Sequence, residues 1–207
     1  MATKSRKSEG LSSMQEISSL EEIAPKDMID WAMAIWIAGF FDGEGCVGGN
    51  VIRNGYGYTI HFNVTISQTE EKVLKDISNF LKDYEIKNSV RMQYRPNPHH
   101  KDCYVLYIRN PISVFKFLKM IYPHLHTSKS IQAHIMLEKI LPRYMQKVHT
   151  TEDGMIEIMG FIDEMNSYKG GVRGKYNQMY FIERRWNRMW REKNNIPNYL
   201  DTYNRTS

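Results

Sequence analysis

The chain contains 207 residues, of which 42% are hydrophobic, enough for the core of one domain with appended segments. Its net charge of +5 and its pI near 9.1 favour a polyanionic partner without identifying it. The 2 cysteines, the lack of a long apolar run and the lack of a signal-peptide pattern exclude disulfide-rich, membrane-spanning and secreted classes, so we expect an intracellular protein with no membrane partner, in an unspecified compartment.

The first 26 residues are polar and rich in serine, which is typical of a disordered tail. Residues 27–145 follow as the predicted folded core, beginning with an apolar helix over residues 28–41. At about 100° per residue, the small residues Ala34, Ala38 and Gly39 share one face of this helix, and larger side chains lie opposite. We expect the large side to face the core and the small side to admit a second helix at close range.

Two carboxylates, Asp42 and Glu44, follow at the C-terminal end of this helix, separated by Gly43. The partial negative charge of a helix C-terminus disfavours acids there, and a cation would reverse that effect. Two such helices side by side would therefore gather oxygen ligands for a hard divalent metal. The alternative is a core helix closed by a glycine-rich turn, with both acids solvated.

After residue 45 the period of the apolar residues changes from that of a helix to two. Strands are predicted at 46–52 and 58–66, followed by an amphipathic helix at 71–82. A second hairpin is predicted at 90–95 and 103–109, followed by helices that start near Pro111 and Thr127. This order predicts an α+β fold, αββαββα, in which a twisted antiparallel sheet has helices on one face and an open second face.

Residues 146–207 form a helical region that is basic and aromatic. It either clamps phosphates or covers the core with a solvated cationic face, and the sequence does not decide between them. The segment from Ile158 to Asp163 begins like a second copy of the apolar-acidic stretch at 37–45, but continues as Glu164-Met165-Asn166. We interpret it as an ordinary apolar helix.

The segment Ile37-Ala38-Gly39-Phe40-Phe41-Asp42-Gly43-Glu44-Gly45 resembles the motif of the LAGLIDADG homing endonucleases. A single copy resembles the homodimeric branch, in which symmetry supplies the partner helix, here through Ala34, Ala38 and Gly39. The resemblance implies a site-specific endonuclease that cuts double-stranded DNA at long, roughly palindromic sites with Mg²⁺ (or Mn²⁺).

The resemblance also implies roles for individual residues. Glu44 matches the acid that binds metal, with the Gly43 carbonyl beside it, and Asp42 matches the acid that braces the helix ends. A polar residue near the metal-bound water is expected shortly after the second strand. Gln68 fits this position, with Thr65 and Ser67 as alternatives. Lys129 is the candidate for a catalytic lysine near the start of a late helix, although capping or surface roles remain open for both Gln68 and Lys129.

The open sheet face is suited to the DNA major groove, where base pairs can be distinguished. Alternation along the predicted strands places a set of polar, cationic and small apolar side chains on that face. The expected DNA-binding residues are Cys46, Asn50, Ile52, His61, Asn63, Thr65, Arg91, Gln93, Arg95, Val105, Tyr107 and Arg109.

Two other functions remain open. The first is a non-cleaving DNA- or RNA-binding relative, such as an intron maturase, for which RNA would be a partner. The second is a small-molecule enzyme with a glycine-rich turn, which would have a compact pocket in place of an open basic face.

Overall fold

The computed structural model describes residues 28–55, 57–94, 102–169 and 174–194. The predicted tail at 1–26 and the DNA-binding candidate Arg95 lie outside these residues. The main elements in chain order are α1 (Met28–Glu44), β1 (Gly45–Asn54), β2 (Gly57–Gln68), α2 (Glu71–Asp83), β3 (Ser89–Gln93), β4 (Cys103–Ile108), α3 (Pro111–Ile121), α4 (Ser128–His134), α5 (Leu141–Met145), α6 (Glu152–Ser167) and α7 (Gln178–Lys193). A π-helical segment, Ile135–Ile140, joins α4 to α5.

The four strands form one antiparallel sheet in the order β1-β2-β4-β3. Alternate residues of the two central strands are buried on the helix side of the sheet, among them Phe62, Val64, Leu106 and Ile108. Helices α1, α2 and α3 pack against this side, and the rings of Phe41 and Phe117 meet edge to face at 5.5 Å between α1 and α3. The predicted α+β fold with one open sheet face is therefore confirmed.

The burial of α1 differs from the prediction. Ala34 and Ala38 are 1% and 0% exposed and face the core of their own protomer, together with Ile37 and Phe41. Because the core of the same protomer already covers both side chains, the expectation that they form an intersubunit interface is wrong. Gly39, the third residue of that expected interface, is exposed.

The exposed side of α1 is apolar. Ile35 and Trp36 are 48% and 45% exposed, and they lie beside Gly39 and Gly43 on the outer surface. A Cβ atom built on either glycine would meet nothing within 4 Å. This surface, which we call the α1 outer face, is open to contact in the protomer.

The described helices after residue 145 pack onto the same core. Helix α6 buries Ile158, Met159, Ile162 and Met165 in the hydrophobic cluster of the sheet. Two ion pairs join it to the preceding helical segment, Lys139–Glu164 at 3.0 Å and Arg143–Glu157 at 2.7 Å.

Helix α7 covers α6 and the N-terminal end of β2. Phe181 is buried, and the hydroxyl oxygens of Tyr58 and Tyr180 are 2.6 Å apart. Arg185 pairs with Asp153, and Arg188 pairs with Glu152, so arginines of α7 bind acids of α6. These contacts favour the interpretation of α7 as an amphipathic cover. Of the described helices, none has the length and hydrophobicity needed to cross a membrane.

Candidate active site and nucleic-acid interface

The carboxylate of Asp42 connects the C-terminal end of α1 to the N-terminal end of α4. It accepts hydrogen bonds from the backbone N–H of His126 at 2.7 Å and from the hydroxyl of Thr127 at 2.6 Å. Thr127 is also the N-cap of α4, where its hydroxyl accepts from the N–H of Lys129 at 3.2 Å. The structure thus links Asp42, near the end of α1, to the residues that begin α4.

These bonds also set the charge of Asp42. Burial by itself would raise its pKa, but the hydrogen bonds from Thr127 and His126 and the nearby charge of Lys129 outweigh burial and lower the pKa below its usual value. Asp42 is therefore ionised at neutral pH.

The ammonium of Lys129 lies at the last carbonyls of α1. Its Nζ donates to the carbonyl oxygen of Asp42 at 2.6 Å and to that of Gly43 at 3.2 Å. A cation here compensates the partial negative charge of the helix end. The structure therefore brings Lys129, Asp42 and Gly43 together, and Lys129 lies in a capping position at the end of α1.

Glu44 is the last residue of α1 and is exposed. Its carboxylate makes neither a hydrogen bond nor an ion pair with the residues that the structure describes. Those residues contain no cluster of three His, Cys, Asp or Glu side chains that would hold a metal within one protomer. Glu44 and the Gly43 carbonyl are nevertheless hard oxygen donors, and Mg²⁺ is often bound by one or two carboxylates together with substrate phosphates. The donor set therefore fits such an ion when a second carboxylate and DNA complete it.

Gln68 lies at the end of β2 and is occupied locally. Its Oε1 accepts from the N–H of Thr69 at 2.7 Å and from the Thr69 hydroxyl at 3.2 Å, just before α2. The pairing of Gly45 with Ile66 places this end of β2 beside the end of α1. Alternation puts Gln68 on the helix side of the sheet, whereas the alternatives Thr65 and Ser67 lie on the open side.

The strand register brings the predicted DNA-binding residues onto one face. Cys46 pairs with Thr65 and Asn50 pairs with His61 across β1 and β2, and Thr65 in turn pairs with Tyr107 of β4. The members of the predicted set that lie in described strands share this open face: Cys46, Asn50, Ile52, His61, Asn63, Thr65, Arg91, Gln93, Val105 and Tyr107. Arg109 directly follows β4. The guanidinium of Arg109 lies 4.2 Å from the centroid of the Tyr107 ring.

Val105 is a correction to this set. It lies between Ser67 of β2 and Arg91 of β3 in the register, and it is only 3% exposed. Its short side chain sits among residues of the neighbouring strands, so it is not available to a ligand.

Two kinds of residue on this face were missed. Thr59 and Ser67 follow from the same alternation along β2 and were omitted from the predicted set. Lys169, beyond the end of α6, approaches Gly48 of β1 through tertiary packing, and no local sequence pattern indicates this contact.

The comparison with known proteins agrees with this geometry. Residues 31–122 match the model of the LAGLIDADG-like domain. The chain is 20% identical to the homing endonuclease I-CvuI, solved in complex with its target, over 76% of this chain and 94% of that one, with a TM-score of 0.64. It is 27% identical to the homing endonuclease I-TnaI over 73% of this chain and 96% of that one, with a TM-score of 0.58.

A third relative is the archaeal intron-encoded homing endonuclease I-Vdi141I complexed with DNA, which is 16% identical over 73% of this chain and 93% of that one, with a TM-score of 0.62. Longer LAGLIDADG chains also match, but over only 46% to 54% of their length. No curated protein matches significantly. The chain therefore contains a LAGLIDADG-like domain and has the fold of the single-motif LAGLIDADG homing endonucleases.

Proposed function

We propose that the protein is a homodimeric, site-specific endonuclease that hydrolyses phosphodiester bonds in double-stranded DNA at a long, roughly palindromic site. The observation that carries this proposal is the end of α1. There Glu44 is exposed and has no partner among the described residues, next to Asp42 and the Lys129 ammonium. The endonuclease core would span residues 27–145, with residues 146–207 as its cover. The structures of I-CvuI, in complex with its target, and of I-Vdi141I, complexed with DNA, support DNA as the substrate.

The α1 outer face supports the homodimer. Exposed Ile35 and Trp36 beside Gly39 form an apolar surface that ends next to Glu44. Glycine allows a second helix to approach closely, because the distance between packed helices depends on the side chains between them. A twofold axis through this surface would bring two copies of Glu44 together and double the oxygen ligands of one protomer.

The chain's own residues would then act on the scissile phosphate. The carboxylate of Glu44 and the carbonyl of Gly43 would hold Mg²⁺ or Mn²⁺, which supplies Lewis-acid polarisation of the phosphate and an activated water. The Lys129 ammonium, fixed on the end of α1, would offset negative charge on the phosphate. Asp42 would keep α1 and α4 in the relative position that this requires, and Gln68 or a neighbour would orient the attacking water.

The open sheet face would read the sequence. Arg91, Gln93 and Asn50 are exposed there, and Arg and Asn or Gln pair with purine edges in the major groove. Along each strand, residues of the open face alternate with residues buried in the core. The packed sheet therefore holds these side chains in fixed positions. This is a scaffold suited to specific base contacts.

The test is selection of a binding site from randomised double-stranded DNA, followed by cleavage of a plasmid that carries the selected site. We expect linear product with Mg²⁺ and intact plasmid with a chelator. Binding without any cleavage would favour the alternative, a non-cleaving DNA- or RNA-binding relative such as an intron maturase. No enrichment of any sequence would contradict site-specific DNA recognition.

A further inference from the structure

Two consecutive glycines in β1 mark where the C-terminal region meets the sheet. A Cβ built on Gly49 would lie 3.4 Å from Ile162 and 3.6 Å from Met165, so this glycine receives α6 on the core side. The Nδ2 group of Asn166 donates to the carbonyl of Gly49 at 3.2 Å. Glycine within a strand often marks such a close approach. The end of α6 is therefore anchored at the edge of the sheet.

Gly48, the other glycine, faces the open side of the sheet. Strand alternation places Gly48 on the open face, between Cys46 and Asn50. A Cβ built on it would lie 2.9 Å from Nζ of Lys169 and 3.3 Å from the backbone oxygen of Asn63. The chain leaves α6 and turns near β1, which is an edge strand, so the lysine reaches round that edge. Its ammonium occupies the space that a side chain at position 48 would fill.

The strand position opposite Gly48 carries an acceptor without a donor. Lys169 makes no ion pair within the part of the chain that the structure describes. Gly48 pairs with Asn63 of β2, whose Oδ1 is buried and accepts no hydrogen bond from described residues. A buried acceptor without a donor is costly. The Lys169 ammonium does not donate to it or to any other described residue, so its donors remain available to a ligand.

We propose that Lys169 is a DNA-reading residue supplied to the sheet by the C-terminal region, in place of the side chain that Gly48 lacks. This inference rests on the DNA-binding function proposed above. The ammonium carries only donors, and among base edges in the major groove guanine presents two acceptors, N7 and O6. Lys169 therefore specifies a guanine, once in each half of the palindromic site. Its place over the strand, between two base-reading positions, favours a base over a backbone phosphate.

The experiment compares the base preferences of four purified full-length proteins selected on the same randomised double-stranded DNA library. They are the wild type, Lys169→Ala, Gly48→Ala and the double variant. A methyl group at position 48 would displace the flexible lysine tip, while the Asn63 carbonyl at 3.3 Å would need to shift by only a few tenths of an ångström. Both single variants should therefore lose the same guanine preference. Affinity for the wild-type site should fall roughly five- to hundredfold in each, and the double variant should lose no more than either one, because both changes remove one contact.

A matched control removes one positive charge elsewhere. Lys72 is exposed on α2, on the helix side of the sheet, and Lys72→Ala should keep the wild-type base profile. An unchanged profile in Lys169→Ala would overturn the inference, as would an equal loss on all sequences with a shallower salt dependence, which identifies a phosphate contact. Additive losses in the double variant would also overturn it. Failure of the wild type to enrich any sequence would instead refute the proposed DNA recognition itself.

Discussion

The side-chain nitrogen of Lys129 lies 2.6 Å from the carbonyl oxygen of Asp42, at the C-terminal end of α1. These residues are far apart in sequence, and the contact joins the helix that carries both acids to the start of α4. It places a cation where the helix has partial negative charge and where both acids add to that charge. The acidic end of α1 is therefore compensated within the protomer, before any metal is bound.

The first prediction concerns this lysine. Lys129→Met keeps the length of the side chain and removes its charge. The free energy of unfolding should fall by about 1 kcal/mol, the upper range for a surface charge at a helix end. DNA cleavage should be lost while DNA binding persists, because the charge at the scissile phosphate disappears. Thermal unfolding, a binding titration and the plasmid assay measure the three quantities.

Lys129→Arg is its control, since it keeps the charge at the helix end. This variant should recover most of the lost stability. Normal cleavage by Lys129→Met would show that Lys129 only caps α1.

A second prediction concerns the pH dependence contributed by Asp42. Its pKa is lowered in the folded protein, so the folded state binds protons less readily than the unfolded one. The stabilisation by ionised Asp42 is therefore complete above the unfolded pKa of about 3.9 and is lost as pH falls through the lower folded pKa. Asp42→Asn should cost about 1 kcal/mol at neutral pH, given the partial exposure of the site and the usual strength of hydrogen bonds to charged groups.

The measurement is denaturant unfolding of both proteins between neutral pH and the acid limit of folding. The difference in unfolding free energy should stay constant near neutrality and shrink below about pH 4. A difference that grows on acidification would contradict the lowered pKa.

The third prediction concerns Gly39 on the α1 outer face. Gly39→Leu meets no atom within 4 Å of the new Cβ in the protomer, and leucine has a higher helix propensity than glycine by nearly 1 kcal/mol. The protomer should therefore fold as well as the wild type. A second α1 would be held away, so sedimentation should show a monomer, and cleavage should be lost.

Lys72→Leu, also on an exposed helix surface, controls for the added apolar side chain and should remain dimeric. A Gly39→Leu protein that sediments as an active dimer would rule out the α1 outer face as the interface.

Much of this architecture could be predicted from local sequence. Alternation along β2, from Tyr58 to Gln68, places Phe62 and Val64 in the core and Asn63 and Thr65 on the open face, because side chains of a strand alternate strictly. The position of Asp42 and Glu44 at the end of an apolar helix was also predicted, since that helix has no charge after Asp30 until the two acids.

The remaining errors depend on packing between distant elements. The small size of Ala34 and Ala38 suggested an intersubunit face, but small residues also pack within the core of one protomer. Only the tertiary structure distinguishes the two. Strand alternation places Val105 on the open face, but residues of the adjacent strands cover it. Lys169 reaches Gly48 from the far end of the chain, and no periodicity encodes such a contact.

The central claim, that Glu44 binds the metal that supports cleavage, is tested most directly by Glu44→Gln. This change keeps the size of the side chain and removes a charge that has no partner among the described residues, so folding and dimerisation should be unaffected. Binding to the selected DNA should persist or become tighter, because two carboxylates no longer face the phosphates. Glu183→Gln, at an exposed position of α7, controls for the loss of one acid and should cleave normally.

The deciding measurement is single-turnover cleavage of the selected site by purified Glu44→Gln across a Mg²⁺ titration, with DNA binding measured on the same preparation. We expect a dimer that binds the site and yields no cleaved product at any Mg²⁺ concentration. Cleavage at a near-normal rate would contradict both the metal site at Glu44 and the proposed chemistry of this protein.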